Sequence, residues 1–163
     1  MKPIVLTFGV CSIVLLLICD ACSSLSRSKS QDEQEIRVMV LEDDVSGRLG
    51  GNGNAPLLYK FFFLDVVSDY EKKSLGQYFH NSVPPVICGT DRLVHGDYGI
   101  ALDRVTGARV IVFSVEIESF SFSEARVTCK SYTSNTGGDS IIYTLGHTKK
   151  GWKIIKKEQG PES

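Results

Sequence analysis

"RVIVFSVEIE", Arg109–Glu118, is the stretch on which the fold turns. Side chains of an extended chain point alternately to its two faces. Ile111, Phe113, Val115 and Ile117 therefore share one face, and Ser114, Glu116 and Glu118 the other. A strand that is apolar on one side and polar on the other is covered on one side only, as in an antiparallel sheet with helices on its inner face. "DRVTG", Asp103–Gly107, leads into it with Asp103 and Gly107 at the positions a hairpin connection favours. Downstream, Ala125–Tyr132, Ser140–Gly146 and Trp152–Lys156 continue the strand pattern, separated by the turns "TSNTGGD" and "HTKKG".

Upstream, the periodicity changes. Glu33–Val45 places Ile36, Met39, Val40 and Leu41 on one side of a helix with acids around it. "GRLGGNGNAP" reads as a Gly/Asn loop; it lacks the Gly-Lys-Ser/Thr ending of a phosphate loop. "LLYKFFFLDVV" is apolar on both faces, which predicts a strand central in its sheet or covered on both sides. Asp69–His80 reads as a second helix with Ser68 as N-cap, and Pro84-Pro85 stops it from continuing. The fold expected is α+β: a curved antiparallel sheet of consecutive hairpins with two helices packed on one side, within a single domain over residues 35–158. Residues 159–163 are left as a flexible tail.

The N-terminus reads as an address. Lys2 precedes an apolar run, Ile4–Ile18, that is shorter than the ~20 residues a spanning helix needs. Small residues flank the Ala21–Cys22 bond, so residues 1–21 read as a signal peptide and 22–34, rich in Ser, Lys, Asp, Glu and Gln, as a polar tether. The segment "LLICDAC" resembles a bacterial lipoprotein signal, which implies lipid attachment at Cys22; Cys19 and Asp20 depart from that pattern, and plain secretion stands as the alternative. The protein is thus expected to be exported, as a cell-envelope lipoprotein or in secreted form. Cys88 and Cys129 remain for the folded part, either as a candidate disulfide or as two separate buried thiols.

Composition limits the function classes. A net charge of −1 with 23% charged residues offers no basic excess for nucleic acid. Three scattered histidines give no zinc spacing, and no serine sits in a nucleophile-elbow context, so no cofactor, metal or catalytic residue is assigned. His80, His95, His147, Asp65, Asp97 and Asp103 are the groups that could transfer protons; Asp103 reads as a turn residue, His147 as a solvated one, and His95 with Asp97 as a loop pair. Of Tyr59, Phe61, Phe62, Phe63, Phe120, Phe122 and Trp152, most read as core, and a few would line a pocket for a small apolar ligand if one end of the sheet is open.

The run from "DRVTGARVIVFSVEI" to "SIIYTLGHTKKGWKIIKKE" resembles small exported bacterial proteins of unknown function, over most of the mature chain. The closing "YTLGHTKKGWKI" hairpin is also similar to the last strands of cystatin-like α+β cones typified by nuclear transport factor 2. The first resemblance brings no established activity with it; the signal, the polar tether and the absence of a catalytic constellation point instead to a non-enzymatic module that binds an envelope protein or small ligand. The second implies a pocket between sheet and helices, suited to small-molecule binding or isomerase-type chemistry.

Overall fold

The computed structural model describes residues 7–50, 59–134 and 137–161, with side chains from residue 29 onward. Two compact units divide the chain, Met1–Glu33 and Gln34–Ser163. Helix α1, Thr7–Gly50, starts in the first and ends in the second, so its backbone includes the segment read as a polar tether. In the first unit the described side chains include an i,i+4 ion pair, Lys29–Glu33 at 3.8 Å. The Cys22 side chain, the remainder of the signal region's side chains and residues 51–58 lie outside the described residues.

The second unit is α+β, with an open, mostly antiparallel sheet. After α1 come β1 (Phe61–Leu64), α2 (Asp69–Tyr78), β2 (Val86–Cys88), β3 (Leu93–His95), a 3₁₀ turn (Asp97–Gly99), β4 (Ala101–Asp103), β5 (Val110–Phe120), β6 (Glu124–Ser134), β7 (Gly137–Thr148) and β8 (Gly151–Gln159). The six-stranded sheet has the order β2-β1-β5-β6-β7-β8. β5 to β8 form the expected meander, with Val115 opposite Cys129, Val127 opposite Tyr143 and Leu145 opposite Ile154.

The sheet is not antiparallel throughout. β1 lies parallel to both β2 and β5, with Phe62 aligned with Val86 on one side and Ile111 on the other. The β1–β2 direction follows from the connection, because α2 returns the chain to the end of the sheet where β1 began. β1 is next to the edge strand β2, and cover on both faces accounts for the unbroken "FFFL": Phe62, Phe63 and Leu64 are fully buried.

Each face has its own core. On one, Ile36, Val40, Leu41 and Val45 of α1, Leu75 of α2 and Phe79 at its C-cap pack with Phe62, Leu64, Ile111, Phe113, Val127, Tyr143 and Leu145. On the other, the β3–β4 hairpin brings Ala101 onto Phe63, Val110 and Val112. Ile111, Phe113 and Val115 are buried on the face the alternation predicts, with Ile117 partly buried beside them.

Candidate functional site

Polar groups converge at three places. The first ties helices to sheet. Glu71, fully buried, accepts from Arg37 Nε at 3.0 Å and from the Val67 amide at 2.8 Å, while Arg37 also donates to the Val115 and Asp65 carbonyls. Ser68 caps α2 by accepting the Glu71 amide at 3.2 Å. "SDYE" is thus a helix-start signature, a hydroxyl followed three residues later by Glu, although Glu71 reaches back to Val67 rather than to Ser68. Every acceptor and donor here serves the fold.

The second is the "DRVTG" turn. Buried Asp103 receives Arg92 Nε at 2.8 Å and Nη2 at 2.7 Å, the Thr106 amide at 3.0 Å and its hydroxyl at 2.6 Å. The Arg92 hydrogen bonds hold this carboxyl far below the usual carboxylate range, helped by those from Thr106 and against the burial that would raise it. Gly107, at φ 67°, occupies the left-handed region that glycine adopts freely. Asp103 is therefore the turn acceptor its sequence context predicts, bound too tightly to carry protons.

The third lies where the last turns of α1 meet the meander. Asp43 accepts from the Tyr143 hydroxyl at 3.1 Å and pairs with Lys157. Asp44, buried, accepts from Cys129 Sγ at 3.6 Å and faces Arg48 Nε at 3.7 Å. Arg48 Nη2 donates to Ser131 Oγ at 2.7 Å and lies 3.6 Å from Asp139, and the guanidinium carbon sits 5.6 Å from the Phe113 ring centre. Burial raises the Asp44 carboxyl above its ordinary value, with Arg48 and Cys129 pulling the other way. Burial, then Asp44, pushes the Cys129 thiol up. The thiol is consequently a neutral donor, not a nucleophile.

Arg48 also lines a cleft of about 450 Å³ with Tyr59, Ile111, residues 131–134 and 137–139. A smaller recess of about 250 Å³ opens on its other side among Asp43, Asp44, Tyr143 and Lys157. This region brings charged groups, hydroxyls and a concave surface together. Sequence reasoning missed it, although "EDDVSGR" carried a signal: Asp44 and Arg48 are four apart on a helix and so share a face.

The other sequence candidates stay apart. His80 bonds locally to the Gln77 carbonyl and Asn81, and His147 stacks on Trp152 with ring centres 5.0 Å apart. His95 and Asp97 are both exposed at the β3–β4 tip. Asp65, also exposed, contributes backbone atoms, donating its amide to Phe113 and accepting Arg37. Cys88 and Cys129 are both free. Their strands are separated by β1 and β5, three strand spacings or ~14 Å, too far for the candidate disulfide. Among the described residues no group of three His, Cys, Asp or Glu could hold a metal ion, and no helix is long and apolar enough to cross a membrane.

Fold and cleft together define a small α+β domain with helices on one face of a mixed sheet and a polar cleft at the sheet's end. No family model, curated protein or solved structure matches the chain.

Proposed function

We propose that the chain is a non-enzymatic binding module exported to the cell envelope, with its ligand seated in the Arg48 cleft. The observation that carries this reading is the cleft itself, open and hydroxyl-lined beside a helix–sheet core already filled by Tyr143, Phe62, Phe113 and Leu41. The titratable groups around it are engaged with one another, an arrangement that supports holding a ligand rather than transforming it. Export rests on the Ile4–Ile18 run and the small residues before Cys22, which in the lipidated form anchors the protein.

Fractionation of cells expressing the full chain tests the location. Wild-type protein is expected in the envelope, beginning at Cys22, and Cys22→Ser in the soluble exported fraction; a cytosolic chain retaining Met1 overturns export. Hydrogen exchange of the exported protein with a soluble envelope extract tests the site. Protection is expected at Ser131–Ser134 and Gly137–Asp139, and its absence there overturns the cleft assignment.

A second reading, the nuclear-transport-factor-2-like pocket with isomerase-type chemistry, draws support from Asp44, a buried carboxyl of raised pKa between helix and sheet. Under that reading Asp44→Asn abolishes the activity; under the first it leaves ligand protection at 131–134 intact.

A further inference from the structure

The charges in the cleft constrain what it can hold. Its lining carries one cation and one anion, Arg48 and Asp139, and these stand 3.6 Å apart. Arg48 is matched a second time by Asp44 at 3.7 Å. An anionic ligand reaching the guanidinium meets the Asp139 carboxylate, and a cationic one reaching Asp139 meets the guanidinium. Either gains little over water, since like-charge juxtaposition offsets the attraction.

The rest of the lining carries hydroxyl residues, Tyr59, Thr133 and Ser134 among them, while the buried Ser131 hydroxyl is held by Arg48. A hydroxyl both donates and accepts, a carboxylate only accepts and a guanidinium only donates. Alcohol groups on a ligand can satisfy all three kinds of partner, and two on adjacent carbons can bridge Arg48 and Asp139. The half-buried Tyr59 ring adds apolar surface, on which the C–H face of a sugar ring can lie.

Gly137 points the same way. Its φ lies outside the left-handed region, and a Cβ built there would meet nothing within 4 Å. Neither backbone conformation nor packing demands glycine at this position. Its open side leaves room for a ligand to approach the backbone.

We propose that the cleft takes a neutral polyhydroxylated ligand, a sugar unit of an oligosaccharide, held between Arg48 and Asp139. This rests on the reading of the cleft as the ligand site. The test is amide-resolved NMR titration of the exported, processed protein with four probes: cellobiose and N,N′-diacetylchitobiose as neutral saccharides, glutarate as an anion, and cadaverine as a cation. At least one saccharide should shift the Ser131, Thr133 and Gly137 amides saturably, with glutarate and cadaverine far weaker. Gly137→Val, which fills open space, and Asp139→Asn, at an exposed side chain, should each weaken that binding about tenfold or more, ~1.4 kcal/mol, with the melting temperature nearly unchanged. Saturation by glutarate or cadaverine in place of the saccharides, or no shift from any probe, overturns the ligand class while leaving the cleft assignment to the exchange experiment. Saccharide shifts confined to another surface, or binding indifferent to both variants, overturn the placement in this cleft.

Discussion

Asp103 and Asp44 are two buried aspartates with opposite environments. Asp103 meets a bidentate guanidinium and two Thr106 donors, so its charged form is favoured. Its stabilisation is present above the unfolded carboxyl value of ~3.9 and is lost as pH falls through the lower folded value. Asp103→Asn should therefore lower the melting temperature by several degrees at pH 7, and the gap to wild type should shrink as thermal scans move below pH 4; a constant gap down to strong acid contradicts the Arg92 pairing. For Asp44 the sign reverses. Burial raises its folded value, so the folded state holds the proton longer and wild-type stability falls as pH rises from ~3.9 through that raised value. Asp44→Asn should be more favourable relative to wild type at pH 7 than at pH 4, read as the change in denaturation midpoint. Equal differences at both pH values contradict a raised carboxyl. The role of Asp103 was legible in "DRVTG", because a turn motif is local. That of Asp44 was not, since its partner Cys129 lies 85 residues away.

At the scale of elements, the hairpin meander was legible, and the parallel setting of β1 was not. The alternation in Arg109–Glu118 gave β5 and its buried face, and Ser68 gave the start of α2. Ser68→Ala should cost about 1 kcal/mol, measured by urea denaturation, because the Glu71 amide loses its acceptor. An unchanged midpoint contradicts the cap. The parallel setting of β1 was hidden for a physical reason: "FFFL" announces burial on both faces, but strand direction is decided by the connection through α2 and by which edges remain open. α1 extends beyond the expected Glu33–Val45 because the apolar stripe marks only the residues that pack, whereas a helix continues as long as its own hydrogen bonds are met. The cleft shares this difficulty. Arg48 comes from α1 while Ser131 and Asp139 come from the β6–β7 hairpin, and only the folded sheet brings them together.

For the molecule as a whole, the open sheet leaves two edges, and β8 is the long one. An unpaired edge strand exposes backbone donors and acceptors that invite a second copy to add its own strand. Two features of β8 oppose this. The β7–β8 register shifts between Thr144–Lys156 and Leu145–Ile154, so Ile155 is an extra residue that breaks the regular edge. Exposed Lys153 and Lys156 flank it, and lysines meeting across an edge-to-edge contact repel each other and must give up water. The protein is therefore expected to sediment as a monomer at micromolar concentration once freed of any lipid. Lys153→Val together with Lys156→Val leaves the β7–β8 ladder intact and supplies β-forming side chains at the edge. That double variant should associate with rising concentration in sedimentation velocity, and should do so less in the presence of mild urea. If the wild type already associates and a Pro at position 155 abolishes the association, the edge is a working interface rather than a guarded one; if the double variant stays monomeric, the bulge at Ile155 suffices without the lysines.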